Sequence, residues 1–562
     1  MADSPNVPMR GGSGADATQH MMRGEPSGYS DSFARDSLPP REQWPEMSYV
    51  SLPELAYPGR LNCAVELLDR MVDSGYGDRT VFHFPGGRWS YRQLQRTANR
   101  MAHALTRDLG LERGNRVLLR GPNNPEMAAA WFAVLKAGGI CVCTMPLLRP
   151  RELGYIAEKA QVRLALTDPR VAADLEAAAR TTPVLERVVP FSGGADSLEA
   201  LTGGKPDEFP AVDTAADDVA IIAFTSGTTG QAKGTMHFHR DVLAICDCFP
   251  RYVLKPESDD VFCGSPPFAF TFGLGGILLF PMRVGASTLL LEQAAPPHLI
   301  KGIQDFGATI CFTAPTAYRA MTPLVKQHDI RTLRKCVSAG ETLPLATFEA
   351  WREATGIKII DGIGSTEMLH IFISASEADI RPGSTGRPVP GYEAKLVNED
   401  GRDVAAGEIG RLAVRGPTGC RYLGDRERQR GYVQNGWNIT GDAYRMDDDG
   451  YFWYQARNDD MIISSGYNLS GPEVENVLLE HPGVQECGVV GVPDPERGQI
   501  VKAYVVLRTG IERSAVTVKE LQEHVKKELA PYKYPRSIEF VDALPRTETG
   551  KLQRFRLRER GA

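Results

Sequence analysis

Val219-Ala-Ile-Ile-Ala-Phe224 runs straight into Thr225-Ser-Gly-Thr-Thr-Gly-Gln-Ala-Lys-Gly234. An apolar run without alternation reads as a strand covered on both faces, as in a mostly parallel sheet with helices packed against it. Glycines in the segment that follows let backbone N–H groups face inward, while hydroxyls and Lys233 supply further donors, a composition suited to phosphate. The same composition also suits a flexible turn. The segment is not the G-x-x-x-x-G-K-[ST] loop, because Gly234 follows Lys233 and the glycine spacing differs.

On either side of this junction the pattern is that of an α/β protein. From about Leu61 to Pro210, amphipathic helical stretches alternate with short apolar strands such as Arg116-Val-Leu-Leu-Arg120 and Arg163-Leu-Ala-Leu-Thr167. Met127 to Lys136 carries a helical apolar stripe, and Gly138-Gly139 stops it. The alternation resumes from Asp218 to about Pro388. From about Gly391 it gives way to brief strands between Gly, Asp and Asn turns: Ala394–Val397, Gly410–Val414 and Gly450–Tyr454. A small β-barrel or sheet over about 391–458 is expected. Beyond Asp459-Asp460 comes a separate α+β unit, with helices at Pro472–Glu480 and Val518–Leu529 and strands at Gly488–Gly491 and Ala503–Leu507. The expected organisation is a flexible tail over 1–45, a large N-terminal domain of α/β subdomains plus the small β-barrel over 46–458, and a smaller mobile α+β C-terminal domain over 459–562.

Composition excludes several classes. With 562 residues the chain exceeds one compact core, at roughly 150 residues per folding unit. Hydrophobic residues at 42% and charged residues at 24% are the balance of a soluble globular protein. A net charge of −6 provides no global basic field for nucleic acid or anionic lipid. No apolar stretch reaches the roughly 20 residues of a spanning helix, so no membrane partner is expected. Ten cysteines, with close pairs at Cys141/Cys143 and Cys246/Cys248, match neither a CxxC zinc site nor a disulfide framework, and a reduced cytoplasmic setting fits.

Downstream of the Thr225–Gly234 loop stand Asp361-Gly-Ile-Gly-Ser-Thr-Glu367, Thr440-Gly-Asp442, Tyr454-Gln-Ala-Arg-Asn-Asp459 and Pro545-Arg-Thr-Glu-Thr-Gly-Lys551. In this order they resemble the motifs of the acyl-adenylate-forming enzymes: acyl- and aryl-CoA synthetases, luciferases, and the adenylation domains that load carrier proteins. The resemblance covers nearly all of the chain apart from the tail. It implies ATP, Mg2+ and coenzyme A as reactants or cofactors. By resemblance, Thr225, Ser226, Gly227, Thr228, Thr229, Gly230 and Lys233 bind the phosphates, Thr366 contacts the α-phosphate, and Glu367 ligates Mg2+, a hard ion suited to carboxylate oxygen. Asp442, read as part of a Gly-flanked turn, accepts from the ribose hydroxyls, and Arg457 donates to the sugar or its phosphate. Gly340, Glu341, Asp361 and Gly362 frame the adenine, with Ile363 where many relatives carry an aromatic ring.

Lys551 is the expected catalytic residue of the first step, since an ammonium between two reacting anions neutralises charge in the transition state. A thiol must then reach the acyl carbonyl, which a site closed by Lys551 would block. The resemblance implies that the small domain rotates about Asp459 and that Ser464, Ser465, Gly466 and Tyr467 replace Lys551 for CoA.

Pro266 to Leu274 and Ser338 to Gly340 combine aromatic rings with small residues, a slot suited to a planar ring, although an aromatic cluster also serves as plain core. Ser338-Ala-Gly-Glu-Thr-Leu-Pro344 and the segment Asp361 to Phe372 resemble benzoate-CoA ligases, which implies Phe270, Thr271, Phe272, Ala339, Gly340, Gly364, His370 and Ile371 as pocket positions. Met461 to Pro472 is more similar to the 2-aminobenzoate-CoA ligase branch, so an amino- or hydroxybenzoate is expected. Three readings stand: an aryl-CoA ligase, a free-standing enzyme loading a carrier protein, and a non-catalytic nucleotide-binding protein. Intact Lys233, Glu367, Asp442 and Lys551 weigh against the last. A homodimer is left open.

Overall fold

The computed structural model describes residues 25–225, 232–457, 460–464, 467–494, 497–529, 533–547 and 551–561. Two large sheets form the body. In the first, strands Arg187–Pro190, Leu164–Thr167, Arg116–Arg120, Ile140–Thr144, Val219–Phe224 and Gly234–Phe238 lie side by side in that order. All neighbours are parallel except the last two, which form an antiparallel hairpin on either side of the Thr225–Lys233 segment. Both hairpin strands are buried along their whole length, which is why neither shows a polar alternation. The Pro125–Lys136 helix is buried all round, down to Lys136, whose ammonium reaches Asp69 at 2.7 Å.

The second sheet runs Arg387–Pro388, Ile371–Ser374, Ile359–Gly364, Lys335–Ser338, Ile310–Thr313, Val261–Gly264, Ser287–Leu289, Thr80–Phe84, Gly87–Ser90. Its centre is parallel and its edges antiparallel. The Ile359–Gly364 and Ile371–Ser374 strands thereby hold the turn with Ser365, Thr366 and Glu367 between them.

The β-rich unit is a five-stranded antiparallel sheet of Glu393–Val397, Ile409–Arg415, Trp437–Met446, Val433–Gln434 and Phe452–Arg457. Asp442 is not in a turn. It lies within the Trp437–Met446 strand, opposite Arg457. The Thr-Gly-Asp composition suggests a turn, but pairing of Asp442 with Arg457 carries the strand through, and Gly441 takes φ +78° where the register against Ile409–Arg415 shifts. The expected strand at Gly450–Tyr454 sits further on, at Phe452–Arg457.

The C-terminal unit is α+β: the Val484–Asp494, Gly498–Leu507 and Ser537–Phe540 strands carry the Gly471–Glu480, Ala515–Glu528 and Arg554–Gly561 helices. Val474, Leu478, Val489, Val505 and Leu521 fill its core.

The segment from Glu25 to Pro45, expected as part of a flexible tail, is packed on the first sheet. The Ser27 hydroxyl and the Gly28 N–H donate to Asp218 at 2.5 and 2.8 Å, Tyr29 donates to the Val219 carbonyl at 2.9 Å, and Asp31 pairs with Arg116. Its polar composition hid three scattered aromatic anchors, Tyr29, Phe33 and Trp44, which pack against the buried cluster around Phe238.

Candidate active site

Phe224 and Gly234 face each other across the hairpin, so Thr225 and Lys233 close its mouth, with the Thr225 N–H donating to the Lys233 carbonyl at 2.9 Å. The Thr225 hydroxyl is buried with no hydrogen-bond partner among the described residues. Ser226, Gly227, Thr228, Thr229 and Gly230 lie outside the described residues. Lys233 lines a cleft of about 510 Å3 with Tyr422, Arg428 and Tyr432.

The Thr366–Glu367 turn is held from the same hairpin. His237, in the Gly234–Phe238 strand, places Nε2 2.8 Å from the Thr366 carbonyl, which can only accept, so Nε2 carries the proton. Burial pushes the His237 pKa down to about 4 and keeps the ring neutral. The Glu367 carboxylate accepts a 2.8 Å hydrogen bond from the Tyr422 phenol.

On the far wall, Asp442 is buried and Arg457 stands 3.5 Å from its Oδ1. Burial raises the Asp442 pKa, and the Arg457 charge offsets this in part. Lys551 comes from the C-terminal unit into the same electrostatic field. Its pKa is lowered by desolvation and then by Arg457, against the opposite pull of Glu341, Asp442 and Glu367. Lys551 is nevertheless exposed by its solvent-accessible surface, so desolvation acts on it only in part. The Lys551 N–H donates to the Thr547 hydroxyl at 3.0 Å, and the Thr547 N–H donates to the Lys551 carbonyl at 2.8 Å. Beside it, Arg546 pairs with Glu486 at 2.9 Å and lies 3.5 Å from Glu341 of the large body.

Gly340, Glu341, Asp361, Gly362 and Ile363 stand at the ends of two adjacent strands, Lys335–Ser338 and Ile359–Gly364. Burial raises the Glu341 pKa, and that of Asp361 reaches about 7. The Asp361 Oδ1 atom is buried without a hydrogen-bond partner among the described residues.

Of the positions expected to line a ring pocket, the structure brings Phe272, Gly364, His370 and Ile371 against one another. Phe270, Thr271 and Phe272 are half-buried at the start of the Thr271–Gly273 helix, which continues as a π-turn over Leu274–Leu279. Ala339 and Ile371 are buried. His370 is 2% exposed, with the rings of Phe280, Phe272 and Phe249 at 4.5, 5.7 and 5.8 Å. Burial lowers its pKa to about 3 against the opposite pull of a hydrogen bond with the Phe272 backbone, and beyond that backbone no described residue meets its nitrogens. Gly364 approaches the His370 carbonyl, and Gly275 lies against the His370 ring, where a Cβ would come within 2.5 Å.

Asp459, Ser465 and Gly466 fall outside the described residues. Ser464 is buried in the Ile462–Ser464 strand, opposite Tyr467 in Tyr467–Leu469. Sequence reading missed Tyr422, His237, Arg546, Gly275 and Phe280. His237 carried a local signal, as a polar residue within a buried strand directly after the loop, and Arg546 stands inside the Pro545–Lys551 motif.

Comparison with known proteins follows the same lines. The family model for AMP-binding enzymes matches residues 70–422, and that for the AMP-binding enzyme C-terminal domain matches 473–551. A benzoate-CoA ligase of Thauera aromatica is 36% identical over 513 residues, spanning 90% of this chain and 97% of the relative. A 3-hydroxybenzoate-CoA ligase of Aromatoleum sp. (strain CIB) is 32% identical over 514 residues, spanning 89% and 97%. The crystal structure of an anthranilate CoA ligase in complex with anthranoyl-AMP superimposes with a TM-score of 0.86 at 37% identity, covering 91% of this chain and 99% of that one. The chain therefore belongs to the AMP-binding, acyl-adenylate-forming enzymes, in the family of the benzoate-CoA ligases.

Proposed function

We propose that the protein is an ATP-dependent, AMP-forming aryl-CoA ligase, an acid-thiol ligase acting on benzoate-type acids. A carboxylate oxygen of the acid attacks the α-phosphorus of ATP, and the bond to the β-phosphate breaks with pyrophosphate taking the electron pair. The CoA sulfur, having lost its proton, then attacks the acyl carbon, and AMP leaves with the electrons of the mixed anhydride. One observation carries this reading: Arg546 of the C-terminal unit lies 3.5 Å from Glu341 of the large body, which sets Lys551, tied to Thr547 next to it, within the field of Glu341, Asp442 and Glu367. A nucleotide-binding protein without catalysis has no use for a mobile ammonium there.

In this reading Lys551 bridges the two reacting anions, Lys233 and the Thr225 hydroxyl hold phosphate, Thr366 meets the α-phosphate, Asp442 and Arg457 hold the ribose, and Asp361 meets the adenine. The residues fit magnesium bound in the usual way, through one carboxylate and the substrate's phosphates. Glu367 is half-buried, and the described residues hold no group of three or more His, Cys, Asp or Glu side chains that would form a protein cage. When bound, the ion offsets the charge of the phosphates and of the leaving pyrophosphate. A hinge at Asp459 then lets the small domain exchange Lys551 for the Ser464–Tyr467 segment.

His370 supports an acid with a polar ring substituent. The Phe272 backbone meets one ring nitrogen at most, and leaving the other unpaired in a buried site costs about 1–3 kcal/mol. A hydroxyl or amino group on the ring would satisfy the neutral imidazole, which donates from one nitrogen and accepts on the other. A cytoplasmic setting accords with ten free cysteines, all buried. The proposal is tested by supplying ATP, magnesium and a ring acid with either free CoA or a phosphopantetheinylated carrier protein. Thioester on CoA supports it, and thioester on the carrier protein alone overturns the choice of acceptor.

A further inference from the structure

Tyr422 is tied to two parts of the site at once. Its backbone runs beside the strand that leaves the phosphate loop: Tyr422 bridges Thr235, the Met236 N–H donates to the Arg421 carbonyl at 2.8 Å, and the Leu423 N–H donates to the Gly234 carbonyl at 2.9 Å. The Tyr422 N–H is taken by Gln429 Oε1 at 2.9 Å. Next to it, Arg421 and Asp241 form an ion pair at 2.8 Å with neither side chain exposed. The Tyr422 ring is itself 2% exposed and meets Tyr432 edge-on at 5.7 Å. A phenol held on so many sides has little freedom to follow a moving carboxylate. It donates to Glu367 Oε1 at 2.8 Å.

The turn that carries Glu367 is also fixed through its backbone, by His237 of that same strand at the Thr366 carbonyl. The phenol occupies one lone pair of Oε1, which leaves Oε2 and the other lone pair of Oε1 for a cation. Partners that orient a ligating carboxylate govern both its geometry and its affinity for the ion.

We propose that Tyr422 is a positioning residue for the metal–nucleotide complex: through Glu367 it registers the divalent ion against the strand that leaves the phosphate loop. This rests on the reading of Glu367 as the magnesium ligand of an adenylating enzyme. Tyr422 touches neither the acid nor the thiol in this account, so its effect is confined to the half-reaction that uses metal-bound ATP.

The experiment is Tyr422→Phe, which keeps the ring and its packing and removes only the donor. Mn2+ binding is measured by electron paramagnetic resonance in the presence of α,β-methylene-ATP, which binds without being cleaved at the α-phosphate. Y422F is expected to bind Mn2+ about ten to one hundred times more weakly than wild type. The Mg2+ concentration for half-maximal pyrophosphate release should rise in parallel. Thioester formation from a supplied aryl-adenylate, which needs no metal-bound ATP, and the melting temperature should stay at the wild-type level. Unchanged Mn2+ affinity, or equal loss of both half-reactions, overturns the proposal. Failure of the underlying reading is distinct: wild-type protein would then release no pyrophosphate with any ring acid.

Discussion

Glu486, on the Val484–Asp494 strand of the C-terminal unit, lies 3.1 Å from Arg319, on the Pro315–Met321 helix of the large body. With Arg546 and Glu341 it forms a chain of ion pairs across the junction, in the arrangement that puts Lys551 among the carboxylates. The Arg319 and Glu486 side chains are 31% and 24% exposed, and a partly hydrated pair contributes up to ~1 kcal/mol. Arg319→Ala should therefore favour the other position of the C-terminal unit, which caps the large body, by about two- to fivefold. The check is the ratio of the two half-reaction rates in single turnover, which should shift toward thioester formation. An unchanged ratio would show that these pairs do not hold the cap.

Lys551→Ala should slow pyrophosphate release by roughly 10²–10³-fold, the scale of losing one preorganised charge. Thioester formation from a supplied aryl-adenylate should remain within a few-fold of wild type. The ammonium must be protonated to act, and its pKa is lowered by desolvation and by Arg457. Activity is thus present below that pKa and lost as pH rises through it. The alkaline limb of kcat/KM for ATP, which reports the free enzyme, should set in at a lower pH than an ordinary lysine would give. Whatever activity Lys551→Arg retains should lack this limb.

His370→Phe keeps an aromatic ring in the cage and removes its nitrogens. The preference for hydroxy- and aminobenzoates over benzoate should fall by about tenfold, the lower part of the range for an unpaired buried group. With its pKa near 3, His370 stays neutral at ordinary pH, so wild-type ranking should not change between pH 6 and 9. Gly275→Ala should lower kcat/KM for all ring acids while leaving the KM for ATP near wild type, because the new methyl group presses on the His370 ring.

The buried strands, the two α/β units and the order of the motifs were legible because each is a local pattern. Arg116–Arg120 and Val219–Phe224 occupy the ranges their apolar runs suggested. Asp442 was misread because Thr-Gly-Asp carries a turn signal that pairing with Arg457 overrides. Tyr422 was invisible for another reason. It meets a glutamate 55 positions away, and nothing in Cys420-Arg-Tyr-Leu423 marks it. The same holds for Phe280 against His370: the contact exists only once the π-turn has formed.

The Arg421–Asp241 pair underlies both Tyr422 and His237, and the Arg421 guanidinium stacks 3.9 Å from the Phe238 ring centre. Asp241→Asn leaves a buried guanidinium without its counter-charge and should cost about 3–5 kcal/mol of stability. A lowered urea midpoint would show this. Replacing both residues together, as Asp241→Leu with Arg421→Met, should recover much of the loss.

The central claim is tested most directly by mixing wild-type protein in excess with ATP, magnesium and a radiolabelled ring acid, first without CoA, and quenching within a single turnover. The account predicts a labelled aryl-adenylate equal to the pyrophosphate released, chased into aryl-CoA and AMP when CoA is added. Absence of an adenylate with benzoate and with its amino and hydroxy derivatives would contradict it, as would label reaching CoA without passing through the adenylate.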